Sequence, residues 1–186
     1  MSLQQSTSQT FGPYFHIGLK PIAVRLPAGA KPVVITGRVL DGDDKPVSDA
    51  AIETWQADLT GVYPVQPTDG SCPATSTLAG LGRAPTDGAG RFRIDTYLPG
   101  RVTAPGGAHS ATLQAPHILV AIGMRGLLKH LVTRIYFPDE AANAEDPVLK
   151  LVPVERRDTL IARAAGGELH WDVVLQGAGE TVFFDC

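Results

Sequence analysis

The stretch "APHILVAIG", residues 115–123, decides the fold. In an extended chain successive side chains point to opposite faces, so Ile118, Val120 and Ile122 share one face while His117 and Leu119 share the other. Three β-branched residues on one parity, closed by a glycine, mark a strand with a core-facing side. Working outward, "KPVVITGRVLDG", "AAIETWQAD", "GRFRIDTYLPG", "KHLVTRIYF", "HWDVVLQG" and "TVFFD" have the same character. Between them stand turn signals such as "DGDDKPVSD" and "TDGAG". Seven short strand candidates at this spacing predict an all-β fold, a β-sandwich of two packed sheets.

One helix is expected to interrupt the pattern. In "VPVERRDTLIARAAGG", residues 152–167, a proline suits the first turn, apolar residues recur at Val154, Leu160, Ile161 and Ala164, and Gly166-Gly167 would stop it. Residues 1–32 read as an N-terminal arm. They are too apolar for a free tail and too broken by Gly and Pro for an independent element, so the arm is expected to dock on its own core or on a partner.

The chain has 186 residues, 44% of them hydrophobic and 19% charged, enough for one buried core, and nothing in its composition demands a second domain. A single domain over 1–186 is expected. The formal net charge of -3 and the absence of a dense basic cluster argue against nucleic acid or an anionic membrane surface as partner. The N-terminal stretch lacks a basic region followed by an apolar run, and no later segment reaches membrane-spanning length without charge. A soluble, cytoplasmic protein is therefore expected. Cys72 and Cys186 suggest neither a disulfide framework nor a metal knuckle.

Two imidazoles on one strand could share an ion if they stood at i and i+2, but the residue two places after His117 is Leu119. A single histidine at a strand start is more often hydrogen bonded than metal bound. Tyr63, between Val62 and Pro64, is by the same reasoning a packing or hydrogen-bonded residue. In "LVTRIYF" the parity of Leu131, Thr133, Ile135 and Phe137 is the core side, which places Arg134 on the other face with Val132 and Tyr136. Pattern alone suits a solvated arginine there. His16, His109, His130 and His170 show no ligand spacing, and the acidic run "DEAANAEDP", residues 139–147, reads as a solvated loop.

Taken together, "SQTFGPYF", "GRVLDGDDKPVSDAAIETWQAD", "TDGAGRFRIDTYLPG", "LLKHLVTRIYFPDEAANAEDPVL", "VPVERRDTLIAR" and "LQGAGETVFFD" resemble the intradiol ring-cleaving dioxygenases of the protocatechuate 3,4-dioxygenase type, and their alpha chains most closely. The similarity runs from about Ser8 to Asp185. In that family a beta subunit holds Fe(3+) with two tyrosinates and two histidines. By motif, Tyr63 and His117 stand at two of those positions, while Val102 and Leu119 replace the second Tyr and the second His. The resemblance thus implies an alpha-type chain with no metal ligands and no catalytic residue of its own. It would complete the site in which a ferric beta subunit cleaves 3,4-dihydroxybenzoate with O2 to 3-carboxy-cis,cis-muconate, a step of aromatic catabolism in the beta-ketoadipate pathway. The resemblance further implies that Arg134 reaches that site at the alpha–beta interface, either touching the substrate carboxylate or setting the local potential. Thr10, Gly12, Pro13 and Tyr14 of the arm would line the substrate pocket. A different class of function is a non-catalytic β-sandwich that only stabilises a partner.

Overall fold

The computed structural model describes residues 11–12, 14–64, 79–104 and 112–185. Among the described residues nine strands form two sheets: β1 (Pro32–Leu40), β2 (Ala51–Trp55), β3 (Leu81–Pro85), β4 (Arg91–Tyr97), β5 (His117–Gly123), β6 (Leu131–Tyr136), β7 (Arg163–Ala165), β8 (Glu168–His170) and β9 (Val173–Val174). One sheet runs β4-β1-β8-β7, with β9 also paired to β1; the other runs β3-β2-β5-β6. The β-sandwich expected from the strand spacing is what forms.

The inward parity of each sheet supplies the core. Ile35 and Val39 of β1, Phe92 and Ile94 of β4, Ile52 of β2, Ile118, Val120 and Ile122 of β5, and Ile135 of β6 join Phe137, Trp171 and Val173 in one cluster. Ile118, Val120 and Ile122 are 0–1% exposed, so the alternation in 117–123 faces inward as expected. Leu131, Thr133, Ile135 and Phe137 likewise take the inner side, with Thr133 and Ile135 both at 0%.

The outer face of β6 is covered as well. A second cluster, Ala115, Tyr136, Leu149, Val152 and Leu160, with Val182 and Phe184 packed against it, lies there. The covering segment includes the helix α2 (Pro147–Leu151) and two 3-10 turns, Ala141–Ala144 and Val154–Thr159. This corrects the single helix expected over 152–167. Leu160 is wholly buried, and its carbonyl accepts from Tyr136 N while Ala162 N donates to Tyr136 O, so β6 claims the backbone that a helix would have needed. Past that point 163–165 is β7, and Gly166-Gly167, at φ +60° and +89°, turns the β7–β8 hairpin rather than ending a helix. A further four-residue helix, α1 (Phe15–Gly18), was not expected. "TVFFD" contributes one bridge, Val132 with Phe184, and "HWDVVLQG" is divided between β8 and β9.

The described part of the arm docks on its own domain. Ile22 bridges Arg83 on the edge of β3, Val24 is 5% exposed, and Phe11 N donates to Leu127 O. The Phe11 ring fills the space that the missing Cβ of Gly123 leaves, 3.1 Å from where that Cβ would stand. Tyr14, 77% exposed, is left open. Among the described residues no helix is long and apolar enough to cross a membrane.

Candidate functional site

Three aspartates build turns by the same device, and the second places Tyr63. Asp41 Oδ1 accepts from the N–H groups of Asp43 and Lys45, and Asp87 Oδ1 from those of Ala89 and Arg91. Asp58 Oδ1 accepts from Val62 N, from Thr60 N and from Thr60 Oγ1. These donors favour the anion and hold the Asp58 carboxyl below its ordinary range. Gly61, at φ +84°, lets this loop close on 100–101, where a Cβ would stand 1.9 Å from Arg101 O. The turn delivers Tyr63 onto the outer face of the β3-β2-β5-β6 sheet, its ring stacked on Trp55 at 6.3 Å and 8°.

On that face Tyr63 Oη lies 3.2 Å from His117 Nε2, and His117 Nδ1 lies 2.8 Å from Ala115 O. A carbonyl only accepts, so Nδ1 carries the ring proton and Nε2 takes the Tyr63 hydroxyl proton. Both imidazole nitrogens are thus engaged. Burial, and then the nearby Arg134 charge, push the His117 pKa down to about 4. Burial raises that of Tyr63, so the phenol keeps its proton. Of the other two positions, Val102 is buried and Leu119 half-buried, and neither offers a lone pair. Tyr63 and His117 are therefore brought together as a hydrogen-bonded pair.

The His117 pair gives a pH signature. The unfolded histidine, with a pKa near 6.5, binds a proton that the folded one refuses down to about pH 4. Stability is then fully present above about pH 6.5 and falls with acidification towards pH 4, by about 2 kcal/mol between pH 7 and pH 5. Urea midpoints at those two pH values are expected to converge when His117 is replaced by Phe; an unchanged gap would contradict this assignment.

Arg134 sits opposite Leu119 in the β5–β6 ladder, on the same outer face. It is half-buried rather than freely solvated, and its charge acts on both neighbours, lowering the His117 pKa and partly offsetting the rise that burial gives Tyr63. Its Nη1 donates to Gln114 Oε1 at 2.7 Å and to Tyr136 Oη at 3.3 Å, and the guanidinium carbon lies 5.9 Å from the centre of the Phe184 ring. Among the described residues it has no acidic ion-pair partner, and Nε and Nη2 have no hydrogen-bond acceptor. That leaves the edge of the guanidinium that meets a carboxylate two-pronged.

The described arm residues, Phe11, Gly12 and Tyr14, are not brought to this point within the chain. Phe11 docks at Gly123, four residues along β5 from Leu119, about 13 Å at the rise of a strand. Gly12 has open space around it and Tyr14 faces solvent, while Thr10 and Pro13 lie outside the described residues, as do Cys72, His109 and Cys186. His130 lines a cavity of about 180 Å³ beneath Phe11, and His170 pairs with Asp172 at 3.1 Å.

Pattern reading missed Gln114 and Asp146. Asp146 falls in the run read as a solvated loop, yet it is 0% exposed. Its Oδ1 accepts from Val148 N, Leu149 N and Tyr136 Oη, and its Oδ2 from Ala115 N. The signal was present in "DPVL", an aspartate before a proline at the first helical position, the mark of an N-cap.

A family model described as "Dioxygenase" matches residues 21–177. The chain is 43% identical, over 99% of its length and 98% of the relative's, to the protocatechuate 3,4-dioxygenase alpha chain of Burkholderia cepacia. It is 35% identical, over 80% of its length and 66% of the relative's, to the beta chain of the same organism's enzyme. Among solved structures, hydroxyquinol 1,2-dioxygenase from Pseudomonas putida DLL-E4 shares the fold with a TM-score of 0.62 at 22% identity, covering 94% of this chain and 67% of that one.

Proposed function

Because the chain belongs to the intradiol ring-cleaving dioxygenase family, we propose that it is the iron-free alpha-type subunit of a cytoplasmic protocatechuate 3,4-dioxygenase, paired with a beta-type chain that holds Fe(3+). In that complex 3,4-dihydroxybenzoate and O2 react to give 3-carboxy-cis,cis-muconate. The observation that carries the reading is Arg134, a half-buried guanidinium anchored at Nη1 with its Nε–Nη2 edge unclaimed among the described residues. A substrate carboxylate supplies the two oxygens such an edge takes.

This chain's own residues do not fit a ferric ion. A hard cation of that charge calls for anionic oxygen and unprotonated imidazole donors. Here Tyr63 keeps its proton and donates a hydrogen bond to His117 Nε2, Val102 and Leu119 have no donor atom, and the Arg134 charge repels a second cation. No step of the ring cleavage is therefore assigned to a metal on this chain. Its part is to hold the carboxylate with Arg134 and, through Thr10, Gly12, Pro13 and Tyr14, to close the partner's pocket against water.

The test is protocatechuate-dependent O2 uptake by this chain alone and after co-expression with a beta-type chain. Uptake confined to the pair agrees with the reading. Comparable uptake by the lone chain would overturn it.

A further inference from the structure

Behind the partners of Arg134 lies a carboxylate that Arg134 itself does not touch. Asp146 is fully buried, and among the described residues it has no lysine or arginine as a direct ion-pair partner; it is satisfied by three backbone N–H groups and by the Tyr136 hydroxyl. Two of these bonds bear on Arg134. Tyr136 Oη donates a hydrogen bond to Asp146 Oδ1 at 3.1 Å, which turns its lone pairs toward Arg134 Nη1 at 3.3 Å. Ala115 N, held by Asp146 Oδ2 at 2.7 Å, fixes the backbone next to Gln114, whose side chain is the other acceptor of Arg134 Nη1. Ala115 O in turn holds His117 Nδ1.

We infer that Tyr136 is a positioning residue for substrate recognition, with the buried Asp146 carboxylate as its anchor, so that the guanidinium presents its Nε–Nη2 edge to an incoming carboxylate in one orientation. The inference rests on the reading of Arg134 given above. Its physical content is preorganisation: a flexible arginine held before binding loses less side-chain entropy when the ligand arrives. Two further observations favour a relay over mere packing. Tyr136 is 0% exposed, and burial lifts its phenol far above the ordinary tyrosine range, so the proton that points its lone pairs at Arg134 stays on across the working pH. The Phe184 ring flanks the guanidinium and leaves its polar edge free.

The test is a double-mutant cycle of Tyr136→Phe and Arg134→Ala in the complex with a beta-type chain. It reads kcat and KM separately for protocatechuate and for catechol, which lacks the carboxylate. Tyr136→Phe is expected to lower the protocatechuate-to-catechol ratio of kcat/KM about tenfold, chiefly through KM. In the Arg134→Ala background the same change is expected to add nothing to that ratio. An unchanged ratio in Tyr136→Phe, or a full additional loss in the double variant, would overturn the positioning role while leaving the Arg134 assignment intact. Arg134→Ala with an unchanged ratio would overturn that assignment, and this inference with it.

Discussion

Replacing Arg134 by Ala in the paired complex is expected to lower kcat/KM for protocatechuate about 10³-fold while lowering that for catechol far less. The magnitude follows from removing one member of a hydrogen-bonded charge pair shielded from water, a loss of about 4 kcal/mol, which is roughly three decades in rate. Arg134 is half-buried and already tied at Nη1 to Gln114 and Tyr136 with Phe184 alongside, and burial of its free edge against the partner and substrate would complete the shielding. Arg134→Lys keeps the charge without the fork, and its loss is expected to fall between wild type and Ala. Steady-state O2 uptake with both substrates measures this. Equal losses for the two substrates, or none, would mean that the chain supports its partner without meeting the carboxylate.

Gly37→Ala is expected to cost about 3 kcal/mol of stability, the upper part of the range for forcing an atom into a packed site. For a chain of this length that is a fall in Tm of about 10 °C. The cause lies where β8 gives way to β9 along β1. Thr36 pairs with His170 and Val39 with Val173, so Trp171 comes opposite Gly37, with Trp171 N donating to Thr36 O. A Cβ on residue 37 would stand 1.8 Å from Trp171 O and 2.9 Å from Phe92 Cζ. Both obstacles are fixed, one as backbone and the other as a core ring set edge-on to Trp171 at 6.2 Å. The crossing of the two chain halves would have to open. Calorimetry decides it, and a Tm within 2 °C of wild type would contradict the packing argument.

Much of the sandwich was legible because strands buried on one side write their geometry as alternation. Ile118, Val120 and Ile122, and on β6 Thr133 and Ile135, face the core as their parity demands. The helix expected over 152–167 failed for a tertiary reason. Its apolar residues are spaced for a helix, but Leu160 and Ala162 are paired through their backbone to Tyr136, and β7 then turns back at two glycines. Local spacing carries no record of such a long-range claim on the backbone.

The site was half legible. His117 and Arg134 take the outer face that their parity assigned, while Tyr63, which no periodicity placed, joins them there and pairs with His117. The surroundings of Arg134 were not legible. An arginine on the non-core parity reads as solvated, and what covers it comes from Gln114, Tyr136 and Phe184, residues drawn from three separate parts of the chain. Asp146 was hidden because acidic residues crowd 139–146 and only one of them is an N-cap turned inward. Within this chain Phe11 fastens the arm at Gly123, and Tyr14, beyond that anchor, stands exposed.

The central claim is that chemistry and recognition are divided between two chains, with the metal on the partner. Iron content of the purified pair, wild type and Tyr63→Phe in this chain, tests it most directly. One iron per pair in both proteins is the expected result, because the Tyr63 hydroxyl is engaged as a hydrogen-bond donor to His117. Two irons per pair, or a loss of iron when only Tyr63 of this chain is changed, would show that the remnant pair binds metal and would contradict the account.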